Sequence, residues 1–98
     1  MNINTEKNGN ELTISIEGRL DTITSPELEN IVRSALTGIS SLVLDFSKLQ
    51  YISSAGLRVV LAAQKSMNRQ GKMTVRNVNA DVHEVFDITG FSDILTIE

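Results

Sequence analysis

The sequence contains no cysteine. Disulfides, thiolate nucleophiles and thiolate metal sites are thereby excluded, and the absence fits a reducing compartment. His83 is the only histidine, so no histidine cluster can form. No loop carries carboxylates at the spacing of a magnesium or calcium site, which leaves no intrinsic cofactor or metal to expect. No apolar run approaches the roughly 20 residues of a membrane-crossing helix. The first ten residues are polar and unlike a secretory signal. Excess positive charge is missing too: 9 Lys and Arg stand against 12 Asp and Glu, a formal net charge of -3 with both signs interspersed. That balance gives no footprint for nucleic acid or an anionic membrane. The chain reads as cytoplasmic, with no direct nucleic-acid contact and no membrane insertion.

What is present suffices for one compact domain spanning residues 1–98, of which 41% are hydrophobic. Residues 3–8 form a candidate edge strand, and Asn8-Gly9-Asn10 is a turn signal. Leu12, Ile14 and Ile16 then alternate with polar residues, as in a strand with one wet face. Ser25 followed by Pro26 predicts a helix N-cap with proline at the first position, with Thr24 and Glu27 as a competing capping box. Leu28, Ile31, Val32, Ala35 and Leu36 recur at helical spacing up to Gly38. The nearly continuous apolar run 42–46 predicts a central strand. A second helix is expected from Ser53 or Ser54 to about Gln70, buried through Leu57, Val60, Leu61 and Met67 and capped by Gly71. Residues 73–78 alternate again, residues 80–88 read as a shorter helix buried through Val82, Val85 and Phe86, and Gly90 stops it. A last short strand or extended tail follows. Strands joined by helices favour parallel pairing with right-handed crossovers, so the expected fold class is α/β, a mixed sheet of four to five strands with about three helices.

In such a sheet the loops leaving the C-terminal strand ends lie at one end, where sites commonly form. Two loops qualify: Gly18 to Thr24, carrying Asp21, and Ser47 to Ser53, running into Ser54. The topology can bring Asp21 near the serine pair. A helix opening at the serines presents free backbone N–H groups and a dipole that favours negative charge. A phosphate on Ser54 would carry about -1.5 to -2 charge there, a change that a partner surface would feel. The same serines also read as ordinary N-caps worth roughly 1 kcal/mol each. Gly56 reads either as a small residue packed on the sheet or as a flat contact point, and Asp21 either as bonding its own loop or as a recognition residue. Thr22 and Thr24 fit turn or cap roles, Arg58 a rim contact or a solvated face, and His83 a surface hydrogen bond beside Glu84 and Asp87. Neither histidine nor lysine stands at a recognised catalytic spacing from the serines, which disfavours an enzyme.

Four segments carry a family resemblance that covers almost the whole chain. Gly18-Arg19-Leu20-Asp21 with Thr24, Asp45-Phe46-Ser47 with Leu49, Ile52-Ser53-Ser54-Ala55-Gly56-Leu57, and Val85-Phe86-Asp87-Ile88-Thr89-Gly90 together resemble the STAS family, and within it the bacterial anti-sigma factor antagonists. The resemblance implies a partner switch. The unmodified protein would bind an anti-sigma factor that is also a serine kinase with a histidine-kinase-like fold, and ATP would be bound by that kinase. Phosphorylation would break the complex, and a PP2C-type phosphatase would restore it. By motif, the acceptor falls on Ser54, with Ser53 as a second hydroxyl where familiar members have aspartate. The implied partner surface comprises Asp21, Thr22, Thr24, Ser53, Ser54, Gly56 and Arg58. The resemblance also covers a second class, a constitutive STAS scaffold in a lipid-transport or sensory assembly.

Overall fold

The structure, a computed structural model, describes residues 1–98. In chain order the elements are β1 (Asn2–Asn8), β2 (Glu11–Leu20), α1 (Ser25–Ala35), β3 (Ser41–Ile52), α2 (Ser54–Asn68), β4 (Lys72–Arg76), α3 (Ala80–Thr89) and a 3-10 turn (Phe91–Asp93). The four strands form one sheet in the order β1-β2-β3-β4. β1 and β2 are an antiparallel hairpin turned by Gly9, and β2, β3 and β4 run parallel. The tail adds a parallel bridge from Ile97 to Val75, covering the outer edge of β4. No helix is long and apolar enough to cross a membrane.

One hydrophobic cluster holds the fold. Register places Leu12 beside Leu42, Ile14 beside Leu44, and Met73 and Val75 on the same face. Leu28 and Val32 of α1, Val60 and Met67 of α2, and Val82 and Phe86 of α3 close onto that face and share the cluster. Thr13, Ser15, Asp45 and Thr74 lie on the opposite, more polar face. Leu61, expected in the buried stripe, is only half-buried, whereas Ala63 and Gln64 are buried.

Several boundaries differ from expectation for identifiable reasons. Residues 47–52, read as a loop, continue β3 without a break. Two register shifts give β3 extra residues against β2, so Ser15 faces Asp45 but Leu20 faces Ile52. The bulges turn Phe46, Leu49 and Ile52 inward, one residue in three, which hides the strand's period of two. Ser25 is not the N-cap: Thr24 holds that position, and Ser25 opens α1 with its hydroxyl buried and unpaired. α1 ends at Ala35, short of Gly38, and α2 ends at Asn68, with Arg69 rather than Gly71 as its C-cap. Gly71 is required for another reason, since a Cβ there would overlap the Ser40 carbonyl. Gly90, at φ 81°, stops α3 in the left-handed conformation expected of a glycine cap.

Candidate functional site

β3 delivers Ile52 beside Leu20, and the Ser53 N–H donates to the Leu20 carbonyl at 2.9 Å. This bond fastens the start of α2 to the end of β2. Gly56 makes the approach possible. A Cβ on it would lie 2.8 Å from Ile52 Cγ1 and 2.9 Å from both Leu20 Cγ and the Leu20 carbonyl oxygen. Gly56 is buried and shapes the site from beneath.

The two serines differ in state. Ser53 is extended, half-buried and engaged: its Oγ accepts from the Gly56 N–H at 3.4 Å and its carbonyl from the Leu57 N–H at 2.9 Å. It is the N-cap of α2. Ser54 is the first residue of α2, is exposed, and its hydroxyl makes no hydrogen bond within the chain. The first turn of α2 contains no acidic residue, so the partial positive charge of its free N–H groups is not offset there.

The β2–α1 turn is built around Asp21. Its Oδ1 accepts from the backbone N–H groups of Ile23 and Thr24, each at 3.0 Å, and lies 3.1 Å from Thr24 Oγ1. The Thr24 hydroxyl donates to the Arg19 carbonyl at 2.7 Å and accepts from the Asp21 N–H at 2.9 Å. These bonds consume the hydroxyl, which is why Thr24 holds the N-cap position with no side-chain cap bond. The Thr24 amide holds the Asp21 carboxyl below its ordinary value, with the Thr24 hydroxyl, the Ile23 amide and nearby Arg19 adding to it against partial desolvation. A lowered folded value means that the turn is stabilised above the ordinary carboxylate value of about 3.9 and loosens as pH falls through the lowered one. The Ile23 and Thr24 amide resonances are therefore expected to titrate with a midpoint below about 3.9. An NMR pH series checks this, and Asp21→Asn should abolish the titration.

Of the predicted residues, the structure places Thr22 and Arg58 on one groove, while Ser53 is tied to the end of β2 through the Leu20 carbonyl. Thr22, Ser25, Pro26 and Glu29 face Ala55, Arg58 and Val59 across a shallow groove of about 360 Å³ between α1 and α2. Arg58 is exposed and has no acidic partner within ion-pair distance, unlike Arg19, Arg33 and Arg76. His83 lies on α3, with Nδ1 3.3 Å from Asp87 Oδ2, and takes no part in the turn. No group of three or more His, Asp or Glu side chains converges to hold a metal ion.

Three neighbours were not among the site residues expected from the sequence. Arg19 lies opposite Tyr51, and its guanidinium carbon stands 4.1 Å from the Tyr51 ring centre, a cation–π contact. Arg19 Nε is also 3.9 Å from Asp21 Oδ2. The pairing depends on the bulges, so strand periodicity could not have found it. The third residue is Ile23, 88% exposed at the tip of the turn, whose sequence signal was a branched alkyl side chain amid polar turn residues.

Comparison with known proteins agrees with this architecture. BtrV of Bordetella bronchiseptica is 33% identical over 99 residues, covering 99% of this chain and 85% of that protein. The anti-sigma-B factor antagonist of Bacillus subtilis is 30% identical over 99 residues, covering 99% and 90%. The anti-sigma factor antagonist SpoIIAA has been solved in unphosphorylated and phosphorylated forms. These have TM-scores of 0.79 and 0.78 at 16% and 17% identity, cover 99% of this chain in each case, and are themselves covered to 87% and 91%. Residues 2–98 match the STAS domain, and with relatives at this identity the chain belongs to the STAS family, among homologues of the bacterial anti-sigma factor antagonists.

Proposed function

We propose that this chain is an anti-sigma factor antagonist of the partner-switching kind. In its unmodified form it binds an anti-sigma factor that is also a serine kinase, and so releases the sigma factor. The kinase holds ATP. The Ser54 oxygen attacks the γ-phosphorus, loses its proton and displaces ADP, leaving a phosphoserine that ends the complex. A PP2C-type phosphatase hydrolyses the ester to free phosphate and restores the hydroxyl. The chain supplies a substrate hydroxyl and a surface rather than catalytic groups.

The observation that carries this reading is the contrast between the serines. Ser54 is exposed and free of intrachain hydrogen bonds, at a helix start with no acidic residue in its first turn, whereas the Ser53 hydroxyl caps that helix. A phosphate on Ser54 meets free N–H groups and the positive end of the dipole, so the domain can accept it without refolding. A partner fitted to a neutral hydroxyl cannot. Exposed Thr22 and Arg58 and half-buried Ser53 complete the contact surface, while Asp21, Thr24 and Gly56 hold it in shape.

Incubation with the cognate kinase and ATP, followed by phosphosite mapping, tests the assignment. Modification is expected at Ser54. Ser54→Ala should keep the fold and kinase binding and block the switch. Ser54→Asp should weaken binding at least about tenfold, because a buried like-charge or unpaired-charge contact costs several kcal/mol. Modification at Ser53 alone would move the acceptor. Modification at neither serine would overturn the switch and favour a constitutive scaffold.

A further inference from the structure

Asp21 lies in the segment that resembles the family's loop motif, yet its carboxylate is committed to its own turn. Oδ1 is occupied by the Ile23 and Thr24 amides, and Oδ2 faces Arg19. What the turn presents outward is Ile23. At 88% exposure, its side chain contributes nothing to the core cluster. Scattered exposed hydrophobes are ordinary on protein surfaces. Ile23 differs because its own N–H is pinned by Asp21, so the side chain projects from a fixed backbone. A preordered apolar side chain loses little entropy on docking.

The surrounding surface is continuous with the serine pair. Tyr51, itself 41% exposed, lies under the Arg19 guanidinium, and Arg19 reaches towards Asp21. The Ser53–Leu20 hydrogen bond ties this edge to the start of α2. Two of the four exposed large apolar side chains of the chain, Ile23 and Tyr51, thus border the Ser54 end of the sheet.

We propose that Ile23 is the apolar anchor by which this face docks the anti-sigma kinase, seated in an apolar cleft of that partner, and that Asp21 is the positioning residue that presents it. This inference rests on the function proposed above. Ile23→Ser is expected to weaken binding of the purified cognate kinase, with ADP present, by about 10- to 100-fold, as for withdrawing a buried aliphatic side chain. Its thermal midpoint should match the wild type, since the side chain is exposed. Asp21→Ala should also weaken binding, and adding it to Ile23→Ser should cost little more. Asp21→Asn should restore most of the affinity lost in Asp21→Ala, because its carbonyl accepts the same two N–H bonds without the charge.

Calorimetric titration of these variants decides the matter. Ile23→Ser binding as tightly as wild type overturns the anchor, even if Ser54 is phosphorylated normally. Asp21→Asn losing as much affinity as Asp21→Ala overturns the positioning role, because the charge would then be the contact. Kinase binding that depends on Ile23, without modification of Ser54, would sustain the anchor and remove the switch. A wild-type chain that binds no anti-sigma kinase removes both.

Discussion

Gly56→Val is expected to lower stability by about 2–3 kcal/mol and to remove partner binding altogether. The helical preference of valine over glycine would by itself favour the substitution by a few tenths of a kcal/mol. Packing opposes it far more strongly. The new Cβ alone falls inside 3.0 Å of three atoms, and one of these, the Leu20 carbonyl oxygen, is backbone. That oxygen also accepts the Ser53 N–H, so it cannot move without loosening the bond that fixes the start of α2. Overpacking of this kind costs about 1–3 kcal/mol, with branched side chains at the upper end. A domain of this size loses about 4–8 °C per kcal/mol, so a fall of about 10–20 °C in thermal midpoint is expected, measurable by circular dichroism. Binding should suffer beyond the stability loss. α2 must back away from β2, which separates Ser54 and Arg58 from the turn carrying Thr22 and Ile23. Titration with the kinase at a temperature where the variant is folded separates the two effects. Gly56→Ala should give a smaller loss in both measurements, because the same Cβ contacts are partly offset by about 1 kcal/mol of helix propensity.

The element order was legible because its signals are local. The alternation of Leu12, Ile14 and Ile16 and the helical stripe from Leu28 to Leu36 depend only on neighbouring residues. Their partners across the sheet merely extend the pattern. The far half of β3 was illegible because its bulges are set by pairing with β2, and a buried residue every third position matches neither a strand nor a helix. Of the two capping registers that the sequence offered, Thr24 rather than Ser25 holds the N-cap, but without a side-chain cap bond, for a similar reason. The Thr24 hydroxyl is drawn to the Arg19 carbonyl, five residues back, by the shape of the turn. Gly71 was read as the C-cap of α2, a position that Arg69 takes; what demands glycine there is the backbone of Ser40, distant in sequence.

The candidate site divides in the same way. Parallel topology alone placed the Asp21 loop and the serine turn at one end of the sheet. Which hydroxyl is free is not written in the residue types: Ser53 and Ser54 are the same residue one position apart, and only backbone geometry separates a cap from an exposed first helical residue. The Arg19–Tyr51 contact arises from register across a bulge and has no sequence signature. The segment from Val85 to Gly90, by contrast, carried part of the family resemblance without belonging to the site.

That segment is a fastening of the core, and Phe86→Ala should be the most destabilising substitution considered. Phe86 is fully buried, its ring centre 6.4 Å from that of Phe46 in β3 and 6.4 Å from that of Phe91 in the 3-10 turn. It therefore joins α3 and the tail to the central strand. Truncating a buried phenylalanine costs about 3–5 kcal/mol, through lost transfer energy and the cavity left behind. A 98-residue domain has only about 5–15 kcal/mol in total. The expected result is a fall on the order of 20 °C in thermal midpoint, at the scale of about 4–8 °C per kcal/mol. Ile88→Ser, two residues along the same helix but at a position 76% exposed, should leave the midpoint nearly unchanged. At a temperature where Phe86→Ala remains folded, its rate of Ser54 phosphorylation should equal the wild-type rate. Its aromatic partners are Phe46 and Phe91 rather than the serine turn. A rate that fell at constant folded fraction would place α3 within the switching surface, and an unchanged rate assigns this segment to stability alone.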